Sequence, residues 1–284
     1  MRLCTTIEEI RASSRAARQG GRRVGLVPTM GALHEGHLSL VRAAKQDSDV
    51  VTVSIFVNPL QFGPNEDFSR YPRTLERDRE LLANENVDSV FAPTVEEMYP
   101  AGSATFVNVE GLSQRLDGKS RPGHFRGVAT VVSKLFHAVE PDVAFFGQKD
   151  AAQVAIIRRL VRDLSLPVEI VVCPIAREAD GLAMSSRNAY LNPRQRAQAP
   201  VLYRSLTAVQ KLFDEGERRV NRLLAAGKEK IAQAPSVKLD YFAIVSQETL
   251  EPVADLSHGA LVAIAAYLGN TRLIDNILLP PGSS

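Results

Sequence analysis

The strongest constraint this chain places on its own fold is an alternation. Short apolar or β-branched runs at residues 24–27, 50–56 ("VVTVSIF"), 89–92, 143–146 and 168–172 are separated by stretches with helical spacing at 38–46, 74–85, 127–139 and 150–164. Runs this short and this uniformly apolar suit strands buried on both faces, because a strand with one face in water would alternate polar with apolar residues. Within 150–164, Val154, Ile157, Val161 and Leu164 recur at the three- and four-residue steps that line one side of a helix. Strand and helix in turn predict an α/β protein, a parallel sheet with helices on both faces.

After residue 187 the pattern changes. "NPRQRAQAP" opens long helical patterns that run to about residue 233, and three strand-like segments follow: "VKLDYFAIV", "ALVAIAAYL" and "RLIDNILL". Helices followed by strands predict a smaller C-terminal α+β domain. The expected division is residues 1–175 and 176–284, with the join around "CPIAREADG". A chain of 284 residues, 45% of them hydrophobic, is long enough for two unequal cores.

Charge and cysteine usage narrow the class. With 34 Lys and Arg against 32 Asp and Glu, and the arginines scattered, nucleic acid is not the expected partner. Charges interrupt every apolar run in residues 1–21, so no signal-peptide core is found there, and "ALVAIAAYL" is too short to span a bilayer. Cys4 and Cys173 share no C-x-x-C spacing, which argues against a disulfide framework or a cysteine metal site and for a reducing compartment, the cytoplasm.

Three segments sit where an open parallel sheet binds ligands, beyond the carboxyl ends of its strands. The first, "PTMGALHEGH", follows the strand at 24–27. Its glycines Gly31 and Gly36 allow close backbone approach, and His34 and His37 can donate hydrogen bonds to phosphate oxygens. The zinc-protease spacing is absent, since the histidines are three apart rather than four, and no third ligand lies nearby. Spacing alone leaves open whether the pair meets phosphate or only caps a helix and faces solvent. The second, "FFGQKDAAQ", brings Lys149, suited to phosphate, and Asp150, suited to ribose hydroxyls, to another strand-to-helix turn. The third, "GLAMSSRNAYL", offers two hydroxyls and Arg187 at the proposed domain junction. Asn58 and Gln61 in "VNPLQFGPNED" can orient a neutral polar substrate, and "RPGHFRGV" opens a helix with Arg121, His124 and Arg126. Residues 63–73, "GPNEDFSRYPR", have the composition of a movable gate.

"HEGH" resembles the H-x-G-H signature of the nucleotidyltransferase superfamily, and "MSSR" its distant second ATP signature. Together with "SIFVNPLQF", "RPGHFRGV", "FFGQKD" and "READGLAMSSRNAYL", in that order, the set closely resembles the pantothenate synthetase (pantoate:β-alanine ligase) family; H-x-G-H by itself carries only the superfamily. The resemblance implies a Rossmann-like sheet and an ATP-dependent condensation of (R)-pantoate with β-alanine through a pantoyl adenylate, releasing diphosphate and AMP. It implies an ATP site formed by Met30, Gly31, Ala32, Leu33, His34, Glu35, Gly36, His37, Gly147, Gln148, Lys149, Asp150, Ala176, Met184, Ser185, Ser186 and Arg187. Among these His37, His34, Lys149 and Arg187 are the expected catalytic groups, with Ala176 meeting adenine through its backbone. Gln61 and Gln153 are expected to grip pantoate, and Gln61 also to meet β-alanine. Mg²⁺ is expected with the ATP, held by phosphates and water rather than by a protein metal site, and a homodimer is expected. The chain departs from the family pattern at Gln148, where Glu is usual, and at Ala151 and Ala152, where an aromatic residue and Gln are usual. Position 148 is expected to act through its backbone.

Overall fold

A computed structural model of the chain describes residues 1–64 and 66–281. Asn65, inside the 63–73 stretch, and residues 282–284 of "PPGSS" lie outside the described residues. The elements are β1 (Arg2–Cys4), α1 (Ile7–Gln19), β2 (Val24–Thr29), α2 (Glu35–Asp47), β3 (Val50–Ile55), α3 (Leu75–Asn84), β4 (Ser89–Phe91), α4 (Val95–Met98), α5 (Asp117–Ser120), α6 (His124–Val139), β5 (Val143–Gly147), α7 (Ala151–Asp163) and β6 (Glu169–Cys173). They are followed by α8 (Pro193–Gln198), α9 (Val201–Asp214), α10 (Val220–Ala232), β7 (Val237–Val245), β8 (Ala260–Leu268) and β9 (Thr271–Leu279). Among the described residues no helix is long and apolar enough to cross a membrane.

The five expected strands are joined by β1 in one parallel sheet of order β1-β4-β3-β2-β5-β6. From β2 the chain builds outward through β3 and β4, then returns to add β5 and β6 on the other side of β2. The strand order therefore reverses between β2 and β5, where a parallel sheet opens a ligand crevice. The register shows how far it opens: β2 pairs with β3 over six residues but with β5 only through Gly25 and Leu26. Beyond Leu26 the two strands part, so Pro28, which has no N–H to donate, sits in an interior strand without costing a ladder bond to β5.

β1 and α1 are elements the apolar pattern did not announce. β1 is three residues long, and α1 buries only Ile10, Ser14 and Ala17 among its many charges. Its start is nonetheless written in a reciprocal capping box between Thr6 and Glu9. Two further starts fall earlier than helical spacing predicted: α2 begins at Glu35 rather than at 38, and α6 at His124 rather than at 127.

β7, β8 and β9 form an antiparallel sheet. β8 is apolar at consecutive positions because both its faces are covered. Val262, Ile264, Ala266 and Leu268 pack toward α9 and α10, while Leu261 and Ala263 join the core of the first sheet.

Candidate active site

At the end of β2 the backbone itself builds the site. Gly31 and Ala32 both adopt positive φ (79° and 50°), which turns the chain sharply between strand and helix. Asp78 of α3, fully buried, accepts the N–H groups of Ala32 and Leu33 at 2.9 Å each and holds this turn from beneath. His34 is the N-cap of α2 rather than part of its first turn: its Nδ1 accepts Gly36 N–H at 3.1 Å, and its own N–H donates to His37 Nδ1 at 3.3 Å. The H-x-G-H spacing is thus a capping box made of two imidazoles, with ring centroids 4.1 Å apart. Gly36 is required, because a methyl there would stand 2.9 Å from the His34 ring.

This geometry decides the chemistry of both rings. With each Nδ1 accepting from backbone, each neutral imidazole carries its proton on Nε2 and is a donor there. Burial, with Lys149 close by, pushes His34 down to about 4; burial, with His34 and Lys149 adding repulsion, pushes His37 down to about 3. Both rings are neutral at neutral pH.

Across the switch point β5 ends at Gly147, and a 3₁₀ turn, Gln148–Asp150, leads into α7. Nothing lies within 4 Å of where a Cβ on Gly147 would be, so this backbone faces open space. Lys149 and Asp150 line the crevice, and neither side chain is ion-paired among the described residues. Met184 approaches from the far side, its Cβ 3.6 Å from a Cβ position on Gly36, and its N–H donates to the Ala176 carbonyl at 2.9 Å. The first and third motifs therefore meet in space. Glu35 departs from the expected set: its carboxylate is exposed and paired with Arg42, leaving only its backbone at the helix start.

A cavity of about 180 Å³ lies under these groups, walled by Val128, Val131, Val132 and Phe146, with Gln61, Gln153 and His37 at its polar side. Gln61 is tightly oriented. Buried Asn58 donates to Gln61 Oε1 and to the Gly127 carbonyl at 3.1 Å each, and Tyr99 O–H donates to Asn58 Oδ1 at 2.8 Å. The Gln61 carbonyl accepts from His124 Nδ1 at 2.8 Å and from Arg121 at 3.2 Å. Since Oε1 is occupied, Gln61 presents its amide N–H₂ group, which reaches Met30 Sδ at 2.8 Å. Gly127 lets α6 pass close enough for this: a methyl there would run into the Leu60 carbonyl. Ala152 of α7 is buried in the hydrophobic core, with Ala151 partly buried against it.

The third motif holds its arginine differently. The Arg187 guanidinium forms a two-pronged ion pair with Asp67, at 3.2 and 3.0 Å, and Arg121 forms another with Glu66 at 2.6 Å on each prong. Ser185 caps the turn that carries Arg187, and Ser186 Oγ lies 3.4 Å from Tyr71 O–H. The gate stretch therefore contributes two carboxylates that occupy two cations of the crevice. A larger cavity of about 950 Å³, lined by Lys149, Asp150, Ser185 and Arg187 on one side and by β9 on the other, runs between the two sheets.

The chain as a whole resembles known proteins. A family model described as "Pantoate-beta-alanine ligase" matches residues 2–278. The chain belongs to the pantoate-beta-alanine ligase family. It is 60% identical to the pantothenate synthetase of Koribacter versatilis, over 98% of this chain and 96% of the relative, and 61% identical to that of Acidobacterium capsulatum, over 98% and 97%. The crystal structure of pantothenate synthetase from Thermus thermophilus superposes with a TM-score of 0.94 at 51% identity, covering 99% of this chain and all of that one. A Francisella tularensis pantoate-beta-alanine ligase, complexed with beta-gamma ATP and beta-alanine, gives a TM-score of 0.80 at 35% identity, covering 98% and 97%.

As a pantoate-beta-alanine ligase, the protein is an enzyme that forms an amide bond, the pantothenate-forming ligation. Residue-by-residue reading of the motifs missed several supports of its site. Gln148 does not act through its backbone alone: its side chain donates to Asn276 of β9 at 2.9 Å. Asp78 and Asn276 carried no local signal, since a lone acid or amide on a helix or strand reads as solvated surface until its partner is known; Glu66 and Asp67 lay in the 63–73 stretch, but their arginine partners are set only by the fold. Among the described residues no group of three or more His, Cys, Asp or Glu side chains is arranged to hold a metal ion.

Proposed function

We propose that this ligase couples (R)-pantoate to β-alanine in two steps at the switch-point crevice. The pantoate carboxylate attacks the α-phosphorus of ATP, giving pantoyl adenylate and diphosphate; the amine of β-alanine then displaces AMP, forming the amide. The observation that carries the reading is the pair of imidazoles locked by backbone with neutral Nε2–H groups, close to Lys149, with His37 at the rim of a small cavity. Adenylation brings an anion against a polyanion, so donors held in place before reaction are worth more than mobile ones. In this reading His37 donates a hydrogen bond to phosphate charge rather than a proton, because its ring is neutral well below pH 7.

The roles of the other residues follow from their surroundings. The aliphatic wall of the 180 Å³ cavity suits a branched, compact hydroxy acid, and the Gln61 amide hydrogens, with Gln153, suit its oxygens. Gln61 also meets β-alanine. Met30, Gly31, Ala32, Leu33, Gly36 and the Glu35 backbone line the nucleotide, Asp150 accepts from ribose, and Ala176 approaches adenine. Met184, Ser185, Ser186 and Arg187 close over the triphosphate, Arg187 exchanging Asp67 for phosphate. Mg²⁺ would come with the triphosphate, held mainly by its oxygens and by water; of the crevice acids, Glu66 and Asp67 are paired with arginine, while Asp150 is left for the ribose.

Residues 1–175 form the ATP- and pantoate-binding domain, and residues 176–284 close over it. The enzyme works in the cytoplasm as a homodimer, for which light scattering of the purified protein should give twice the 31.0 kDa chain mass. The deciding experiment is AMP release with pantoate, ATP and β-alanine, omitting each in turn. AMP formed without β-alanine at the full rate, or no AMP with all three, would refute the reaction as written.

A further inference from the structure

β9 carries two consecutive polar residues, Asp275 and Asn276, that are only 3% and 2% exposed. Polar side chains buried this deeply are costly unless their hydrogen bonds are satisfied. Neighbours on a strand point to opposite faces, and each of these two grips a different part of the crevice. Asn276 faces the first sheet. Its Nδ2 donates to the carbonyls of Gln148 and of Lys149, both at 2.9 Å, and its Oδ1 accepts from Gln148 Nε2 at 2.9 Å. Those carbonyls belong to the 3₁₀ turn Gln148–Asp150, which has no side-chain cap of its own.

Asp275 faces the other way, toward α9. Its carboxylate takes both prongs of Arg177 at 2.7 and 3.0 Å, with the guanidinium 4.0 Å from the Tyr203 ring centroid, and it accepts Asn276 N–H at 2.8 Å. Arg177 is bridged to Ala183 in the hairpin that presents Ala176 and Met184. One dipeptide of the C-terminal sheet thus ties the Lys149 turn to the hairpin on the opposite wall.

We propose that Asn276 is a positioning residue for adenylate formation, acting through Lys149. By holding two successive carbonyls of a turn too short to stabilise itself, it fixes the backbone from which the Lys149 ammonium reaches the transferring phosphate. This deepens the reading above and rests on the phosphate role of Lys149. Gln148 supplies the reciprocal arm, so the amide at that position is matched to Asn276: a carboxylate there could not donate to Oδ1 in this arrangement.

The test separates the two half-reactions, using single-turnover formation of pantoyl adenylate and, separately, the aminolysis by β-alanine of adenylate supplied ready-made. Asn276→Ala should slow adenylate formation about a hundredfold, the scale of a misplaced reacting group, while aminolysis stays within about twofold. Asn276→Ser, whose hydroxyl can serve one carbonyl, should recover part of the rate. Gln148→Ala keeps both carbonyl bonds and should lose less than about tenfold, the scale of one hydrogen bond. If Asn276→Ala does not fold, the Ser and Gln148 variants carry the same comparison. Equal losses in both half-reactions, unchanged adenylate formation, or Gln148→Ala as severe as Asn276→Ala or Asn276→Ser would overturn the inference. Lys149→Ala is the control: if it forms adenylate normally, the reading of Lys149 fails; if it is impaired while the Asn276 variants are not, only this inference fails.

Discussion

The β2–α2 turn and the loop around Arg187 both supply hydrogen-bond donors to one crevice, but they hold them by different means. His34 and His37 are fixed by backbone N–H groups a few residues away, over a turn that Asp78 secures from below. Arg187 and Arg121 are held by Asp67 and Glu66, carboxylates that a polyanion would have to displace. Donors of the first kind reorganise little when phosphate charge moves. In the proposed reaction Arg187 would exchange Asp67 for phosphate, which would couple nucleotide binding to the 63–73 stretch that carries Asp67.

The comparison can be broken at its rigid end first. His37→Ala should lower pantoate-dependent ATP–diphosphate exchange about a hundred- to a thousandfold, the cost typical of one preorganised donor. Near-normal exchange would remove the imidazoles from the chemistry. Gly36→Ala leaves both histidines in place but pushes the His34 ring off Gly36 N–H, so exchange should fall about tenfold or more, with kcat affected rather than the KM for ATP. An unaffected Gly36→Ala enzyme would show that the cap geometry is dispensable.

At the movable end the effect should be smaller and of opposite sign. Asp67→Asn weakens the hold on Arg187, so the KM for ATP should drop by roughly threefold with kcat nearly unchanged, the modest scale expected of a partly exposed ion pair. A raised KM would mean that Asp67 serves the bound nucleotide instead of competing with it.

Acid should distinguish the regions by stability. Burial pushes His34, His37 and His124 down to about 4, 3 and 4. Each is neutral when folded but protonates near 6.5 when unfolded, so the unfolded chain binds more protons between those values and stability is lost as pH falls below about 6.5 toward 4. Thermal midpoints from pH 8 to 4 should decline over that window, with a shallower decline in His124→Asn. In the same window down to about pH 5.5 the adenylation rate should show no step near 6.5; a step there would mean that a histidine ionises in the working enzyme.

Much of this was legible in the sequence because the signals are local. Strand, glycine and a side chain that can donate to phosphate recur within ten residues at "PTMGALHEGH" and at "FFGQKD", and their order along the chain already placed them on one sheet edge. β8 was legible too, as an apolar run of strand length. α1 was passed over because its buried face is three residues among charges, although the Thr6–Glu9 box marked its start. Asp78 and Asn276 were unreadable for another reason: each acts on a residue 45 or more positions away, and nothing in its own neighbours distinguishes it from a solvated polar side chain.

What the sequence determined by itself is the parts and their chemistry: a parallel sheet, two imidazoles at a helix start, a lysine and an arginine at later loops, and amides able to orient a polar substrate. The tertiary structure decided their states. That the histidines are neutral Nε2 donors depends on burial and on which nitrogen the backbone takes, that Arg187 is occupied depends on a carboxylate 120 residues away, and that Gln148 works through its side chain depends on β9 arriving at the Lys149 turn. Residue type and spacing are properties of the chain, but protonation, tautomer and ion pairing are set by neighbours that only folding brings within hydrogen-bonding distance.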